Sequence, residues 1–215
     1  MLVSGAGSNL RALLDAAEEP GFPARCVLVV ANRPSAGALE IARAHGVEAV
    51  AMPVSGFGGD SAARDRALLR LLLSRGVRLV VCAGYDRVLD DCVFEAFADA
   101  ILNLHPSLLP AFAGGMHAVE QALEAGVKVT GCTVHLLAPG APDAGPIVLQ
   151  APVPVLEDDD VERLRARIHE QEWRLLPEAV SLWCQGRLRR EGPRVHVAPP
   201  GADAPAPSLR GGGVR

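Results

Sequence analysis

Short apolar runs alternate with longer amphipathic segments along the first hundred residues. The apolar runs begin at residues 2, 26, 47, 77 and 100, and Gly, Asn or Pro closes each of them. Several are continuous rather than alternating, as is typical of strands covered on both faces. The segments between them carry apolar residues at helical spacing. The pattern predicts an α/β fold with an open, mostly parallel sheet and helices on both faces, a Rossmann-like arrangement.

The pattern changes after residue 126. Two strand-like runs, at residues 127–137 and 145–155, follow each other with few helical residues between them, which predicts a mixed extension of the sheet. A helical pattern follows from about residue 159 to residue 184, and Pro177 inside it is expected to kink or divide the helix. We expect one domain over residues 1–188, a peripheral strand-like segment over 189–197, and a disordered tail over 198–215.

Composition excludes several classes of protein. The chain is 49% hydrophobic with a net charge of −4 and has no basic stripe with interleaved aromatic residues, so nucleic acid is not an expected partner. Apolar stretches fall short of the roughly 20 residues that span a bilayer, so we expect no membrane partner and a cytoplasmic location. The five cysteines form no C-x-x-C pair, which argues against a zinc site and a disulfide framework.

The first candidate site is the glycine-containing segment SGAGSNL at residues 4–10. Gly7, Ser8 and Asn9 stand between a predicted strand and a predicted helix. Glycine lets the backbone approach a ligand closely, and the free N–H groups at a helix start suit a phosphate. On spacing alone, an ordinary tight turn with Ser8 or Asn9 as the helix cap explains the segment equally well.

The second candidate site is the polar pair Asn103 and His105 in the apolar run ILNLHPSLLP. Residues two apart in a strand point to the same face, and ligands of parallel sheets bind at the carboxyl ends of the strands. An Asn amide can donate to a developing oxyanion, and a His can exchange protons near neutral pH. The alternative is a hydrogen-bonded core His beside a structural Asn.

A single carboxylate, Asp143, stands in the turn GAPDAGP at residues 140–146. An isolated Asp in a Gly/Pro loop is usually a turn former, but beside His105 it would orient the imidazole and keep it basic. His135 shares a strand face with Thr133, and a satisfied, partly buried imidazole is the default interpretation for it.

Four segments, taken in order, carry a family resemblance: SGAGSNL, LNLHPSLLP, GCTVHLL and DAGPIVLQ. Together they resemble the phosphoribosylglycinamide formyltransferases, and the resemblance runs from residue 2 to about residue 188. It implies an enzyme of de novo purine biosynthesis whose small-molecule substrates are 10-formyltetrahydrofolate and glycinamide ribonucleotide. It implies no metal, and we expect a monomer or a homodimer.

The resemblance also assigns roles to individual residues. It implies that Asn103, His105 and Asp143 are catalytic. It implies glycinamide ribonucleotide binding by Gly7, Ser8 and Asn9 at the phosphate and by Glu172. It implies that the folate contacts Asp86, Arg87, Val88, Leu89 and Asn103, and that the loop over residues 138–143 closes over the pteridine ring.

The chain departs from the family pattern at three places. One extra residue stands near Gly115 and another before Asp143, and both flank the predicted active site. The loop before Asp143 reads APGAP, which predicts a stiffer lid. Ser61 or Ala62 stands where many members carry an Arg, with Arg64 a turn further on, so we expect altered contacts to the folate tail or the substrate phosphate.

Three alternatives remain open. A formyltetrahydrofolate deformylase would use the same three residues on water, although such enzymes carry an additional amino-terminal regulatory domain. A methionyl-tRNA formyltransferase would need an RNA-binding domain and a basic surface. A non-catalytic folate-binding or nucleotide-binding relative is the alternative from a different class.

Overall fold

The computed structural model describes residues 1–140 and 143–201. In these ranges, the strands are β1 (Leu2–Val3), β2 (Leu28–Ala31), β3 (Glu48–Ala51), β4 (Val80–Ala83), β5 (Ile101–His105), β6 (Val129–Leu136), β7 (Ile147–Pro154), β8 (Leu188–Glu191) and β9 (Arg194–Val197). The helices are α1 (Ser8–Glu18), α2 (Ala38–Ala44), α3 (Ser61–Ser74), α4 (Asp91–Ala96), α5 (Ala118–Glu124) and α6 (Val161–Cys184), with a 3-10 helix at Val54–Phe57.

The central feature is a seven-stranded sheet with the strand order β3-β2-β1-β4-β5-β6-β7. β1 pairs in parallel with β2 and with β4, and β2 pairs in parallel with β3. β6 and β7 pair antiparallel. The predicted open, mostly parallel sheet with a mixed extension in the carboxyl-terminal half is therefore confirmed.

Residue contacts divide the chain into two compact units, the first ending at Leu102 and the second beginning at Asn103. In the first unit, β2 and β4 are buried along their whole length, as the continuous apolar runs predict for strands covered on both faces. Helix α2 packs on β2 and β3. The two-residue strand β1 is buried as well, so even this short element contributes to the core.

The second unit is built on the β6–β7 pair, with helix α6 packed against both strands. Asp160 caps α6 by accepting a hydrogen bond from the N–H of Arg163 at 2.8 Å. Pro177 is buried inside this helix, which continues through it to Cys184, so the expected division does not occur. Burial of the apolar face of α6 offsets the backbone hydrogen bond that proline cannot donate.

The sequence pattern missed the shortest elements. Helix α4 has 6 residues and the 3-10 helix has 4, too few for a helical period to show. Residues 188–197 form an antiparallel hairpin of β8 and β9.

Residues 141–142 of the predicted lid and residues 202–215 of the predicted tail lie outside the described residues. Among the helices of the described ranges, none has the length and apolar character required to cross a bilayer.

Gly131 in β6 is a position where the fold tolerates no side chain. A Cβ atom built there would lie 2.0 Å from the carbonyl oxygen of Ala151 on β7 and 2.9 Å from Cδ2 of Leu108. We expect Gly131→Ala to force the β6–β7 pair apart and to destabilise the protein by about 1–3 kcal/mol or more. In thermal unfolding this corresponds to a midpoint lowered by at least about 3 °C.

Gly56→Ala is the matched control, because a Cβ atom at Gly56 would meet nothing within 4 Å. Its midpoint should stay close to that of the wild type. Equal midpoints for both variants would contradict the close backbone approach at Gly131.

Candidate active site

Strand β5 carries the two polar residues singled out by the sequence. Leu102 and Leu104 point into the core and are buried, while Asn103 and His105 share the opposite face of the strand. Asn103 is half-buried and His105 is buried. The predicted common face of Asn103 and His105 thus follows from the alternation of a regular strand.

Both ring nitrogens of His105 face oxygen atoms. Nε2 lies 2.9 Å from the carbonyl oxygen of Phe112, and Nδ1 lies 3.3 Å from Oδ2 of Asp143. A carbonyl and a carboxylate accept hydrogen bonds but do not donate them. The doubly protonated imidazolium, with an N–H on each nitrogen, therefore satisfies both partners at once.

The backbone at Phe112 and Asp143 is in the left-handed region, with φ values of 56° and 57°. Aspartate adopts this region readily, but an aromatic residue does so at a cost of about 1–2 kcal/mol. The N–H of Gly114 donates to Oδ2 of Asp143 at 2.9 Å. Contacts with His105 and Asp143 therefore hold the segment that contains Phe112 and Gly114 in place.

His135 completes the cluster. Nδ2 of Asn103 donates to Oδ1 of Asp143 at 3.3 Å and lies 2.9 Å from Nε2 of His135. An amide nitrogen can only donate, so Nε2 of His135 accepts. His135 is fully buried, and the β6–β7 pairing shifts register at this residue, as a β-bulge does when it re-aims a side chain.

Sequence reasoning missed this role of His135. It treated the residue as a buried imidazole of the strand, and its spacing of two from Thr133 indicated only the face on which it lies. The structure shows that the imidazole is buried and in addition places its Nε2 3.6 Å from Oδ1 of Asp143. Cross-strand partners depend on register, which periodicity alone does not determine.

The carboxyl of Asp143 is held ionised. Burial raises its pKa, but the hydrogen bond from the Gly114 N–H and the neighbouring imidazole of His105 outweigh burial. The pKa of Asp143 therefore lies below its ordinary value, and at neutral pH the group is a carboxylate. This charge suits a neighbouring imidazolium.

In the first unit, the predicted phosphate segment is a helix start. Gly7 precedes α1 with φ at 90°, and a Cβ atom there would lie 2.8 Å from Ala38. Only glycine fits this conformation and this close approach. Ser8 and Asn9 open the helix, so their N–H groups belong to the first turn, which has no intrahelical acceptors.

The predicted folate segment follows β4 in the same unit. Val88 is 75% exposed, whereas Leu89 is buried. Arg87 is about half exposed, and the side chain of Asp86 is 15% exposed. An apolar side chain as exposed as Val88 is available to cover an aromatic ring.

Arg64 does not replace the missing family arginine. It is 1% exposed, with Nε 2.9 Å from Oδ1 of Asp65 and Nη1 donating to the hydroxyl of Tyr85. Ser61 opens helix α3 after the Asp60 cap. A buried guanidinium in these contacts is not exposed to a folate tail or to a phosphate.

Glu172 lies in the second unit on α6. It is buried, and its Oε2 is 3.8 Å from Nε2 of His169, one helical turn earlier. Across the described positions, no three His, Cys, Asp or Glu side chains are grouped so as to hold a metal ion.

His135→Leu should lower kcat about tenfold, because it removes the nearer of the two acceptors of the Asn103 amide, at 2.9 Å, and leaves only Asp143 at 3.3 Å. His135→Gln, whose side-chain oxygen can accept from Asn103, should recover most of that loss. The control is His196→Leu on strand β9, whose half-exposed imidazole pairs with Glu191. Steady-state kinetics of the three variants checks this, and an unchanged kcat in His135→Leu would contradict it.

Comparison with known proteins identifies the family to which the chain belongs. A family model described as formyl transferase matches residues 1–180. Phosphoribosylglycinamide formyltransferase of Haemophilus influenzae is 36% identical over 88% of this chain and 88% of its own length. The crystal structure of glycinamide ribonucleotide transformylase 1 from Symbiobacterium toebii superimposes with a TM-score of 0.89 and 49% identity over 92% of each chain.

A longer relative matches as well. The trifunctional purine biosynthetic protein adenosine-3 of Drosophila melanogaster is 39% identical over 86% of this chain, which spans 14% of the length of that protein. The family match covers most of the chain, and the Haemophilus influenzae relative is covered over most of its length. The chain therefore belongs to the formyl transferase family and, within it, to the phosphoribosylglycinamide formyltransferases.

Proposed function

We propose that this protein transfers the formyl group of 10-formyltetrahydrofolate to the amino group of N1-(5-phosphoribosyl)glycinamide, in de novo purine biosynthesis. The observation that carries the proposal is the cluster around Asp143. One carboxylate oxygen lies 3.3 Å from the amide nitrogen of Asn103, and the other lies 3.3 Å from a ring nitrogen of His105. An amide donor and an imidazolium beside one carboxylate suit acyl transfer through an oxyanion.

In the proposed reaction, the substrate amine attacks the formyl carbon. A carbon–nitrogen bond forms to the amine, and the carbonyl oxygen becomes an oxyanion that N–H groups of Asn103 and His105 stabilise. The oxyanion then takes the place of the longer acceptor of Asn103, Oδ1 of Asp143 at 3.3 Å, and of the Phe112 carbonyl beside His105. The bond from this carbon to the folate nitrogen then breaks. A proton passes from the attacking amine to the departing nitrogen through His105 or a water molecule, while Asp143 keeps the imidazole oriented and charged.

Both N–H groups of a His105 imidazolium already have protein acceptors. For this residue to stabilise the oxyanion, substrate must take over the N–H that faces the Phe112 carbonyl, since the other ring nitrogen faces the carboxylate of Asp143. We therefore propose that the segment around Phe112 shifts when substrate binds.

For substrate binding, we propose that Gly7, Ser8 and Asn9 hold the phosphate with the N–H groups at the start of α1. Glu172 would contact glycinamide ribonucleotide. The folate would lie against the segment of Asp86, Arg87, Val88 and Leu89 and against Asn103, where exposed Val88 offers apolar surface.

We further propose that the protein acts in the cytoplasm on small-molecule substrates, as a monomer or a homodimer. Its catalytic domain would cover residues 1–188, with residues 189–197 as a peripheral segment. Sedimentation of the purified protein checks the oligomeric state.

One assay tests the function. The protein receives 10-formyltetrahydrofolate with and without glycinamide ribonucleotide, and release of tetrahydrofolate is followed. Release that requires the amine is the expected result. Release without the amine would indicate a deformylase, and no release in either case would indicate a binding protein.

A further inference from the structure

Three polar side chains follow three neighbouring strands of the first unit. Ser4 comes directly after β1, Asn32 directly after β2, and Asp86 three residues after β4. Because β1 pairs in parallel with both β2 and β4, the three residues lie together at the carboxyl ends of these strands. Ser4 and Asn32 are buried, so their polar atoms need partners within the protein.

The three residues form a closed ring of hydrogen bonds. The backbone N–H of Asp86 donates to Oγ of Ser4 at 3.0 Å, and the Ser4 hydroxyl donates to Oδ1 of Asn32 at 2.6 Å. Nδ2 of Asn32 then donates to Oδ1 of Asp86 at 2.6 Å. Each residue donates one bond and accepts one, and Oδ1 of Asp86, 3.0 Å from the Ser4 oxygen, is a second acceptor for that hydroxyl.

Arg33 completes the arrangement on the outer side. Its Nη2 donates to Oδ2 of Asp86, and its side chain is 60% exposed. Burial raises the pKa of Asp86, but the hydrogen bonds from Asn32 and Ser4 and the charge of Arg33 lower it below its ordinary value. The group in the ring is therefore a carboxylate at neutral pH.

The ring connects two segments with different proposed ligands. Ser4 directly precedes the glycine loop that leads to the phosphate segment at residues 7–9. Asp86 is the first residue of the folate segment. On its other side the glycine loop is fixed to α2, where the N–H of Ala38 donates to the carbonyl oxygen of Gly5 at 3.3 Å.

We propose that Asp86 is a positioning residue that couples the phosphate segment to the folate segment, so that the binding of both substrates depends on one carboxylate. This inference rests on the proposed function. It also revises the role expected for Asp86. Its carboxylate is turned into the ring, and it acts on the ligands through Ser4 and through its own backbone.

The test compares Asp86→Ala and Ser4→Ala with the wild type. Each variant opens the ring, so KM for glycinamide ribonucleotide and KM for 10-formyltetrahydrofolate should both rise about five- to twentyfold. The kcat should stay within about threefold, because Asn103, His105 and Asp143 are unaltered. Asp86→Asn keeps an oxygen that can accept from Asn32 and should recover part of the loss.

The double variant tests whether the hydrogen-bonded ring acts as one unit. Because either substitution already opens it, Asp86→Ala combined with Ser4→Ala should raise each KM little beyond either single change. Val80→Ala in β4 is the control for simple destabilisation, since it makes a cavity at a buried position at the other end of the strand without removing a ring atom. Its KM values should stay at the wild-type level.

Amide hydrogen exchange gives a readout that does not depend on turnover. In Asp86→Ala, the amides of residues 5–9 should exchange at least about tenfold faster, while those of β2 keep their wild-type rates. Wild-type KM values and wild-type exchange in this variant would overturn the inference and leave the proposed function standing. A wild-type protein without turnover would overturn the function, and the exchange result would still decide whether Asp86 positions the loop.

Discussion

Asn103→Ala is expected to lower turnover by a factor of several hundred. The Asn103 amide is proposed to donate to the oxyanion, and one such donor is worth about 3–4 kcal/mol in the transition state. Because this interaction develops only as charge forms on the oxygen, kcat and kcat/KM should fall together. Steady-state kinetics with saturating 10-formyltetrahydrofolate measures the effect.

The matched control is Gln185→Ala, which removes a surface amide that hydrogen-bonds to Ser181 at 3.0 Å. Its turnover should equal that of the wild type. Thermal unfolding of Asn103→Ala establishes that the protein remains folded. Turnover within tenfold of the wild type in a folded Asn103→Ala variant would remove Asn103 from the proposed oxyanion site.

Asp143→Asn should lower kcat by about ten-thousandfold, an effect of the size seen when a carboxylate that orients a catalytic imidazole is neutralised. Asp143 accepts hydrogen bonds from Asn103 and Gly114, and its Oδ2 faces Nδ1 of His105. An amide in its place carries no charge and presents an NH2 group to at least one of these donors. The imidazole then loses both its orientation and the charge that favours its protonated form.

Asp99→Asn is the control for replacing Asp by Asn in a left-handed backbone conformation. Asp99 also adopts a left-handed conformation, with φ at 54°, and Asn tolerates that region as well as Asp does. A normal kcat in Asp99→Asn beside a low one in Asp143→Asn would assign the loss to the carboxylate. If Asp143→Asn kept more than a tenth of wild-type kcat, Asp143 would not be the group that holds His105.

Local patterns predicted much of the fold because strands and helices are periodic. The period of two placed Asn103 and His105 on one face, and the continuous runs predicted buried parallel strands. Asp143 was different: spacing alone made it a turn former, and only the family resemblance associated it with His105. A loop residue reaches its partners through the path of the chain, which hydrophobic periodicity does not encode.

The contacts that the sequence did not predict join residues far apart along the chain. His135 lies 2.9 Å from the amide of Asn103 on β5, and Asp86 is hydrogen-bonded to Ser4 and Asn32, which are 82 and 54 positions earlier. Buried Arg64 donates to the hydroxyl of Tyr85, 21 positions later. Hydrophobic patterning identifies which face is buried, but it does not identify the polar group on the neighbouring strand.

The carbonyl oxygen of Phe112 competes with substrate oxygens for the Nε2–H of His105. Any oxygen that is to receive the Nε2–H of His105 must displace a preformed acceptor at 2.9 Å. Water alone makes too few contacts to offset that exchange, whereas a bound amine substrate contributes its whole binding energy. Under the proposed mechanism, Phe112 therefore protects the formyl donor from hydrolysis until the acceptor arrives.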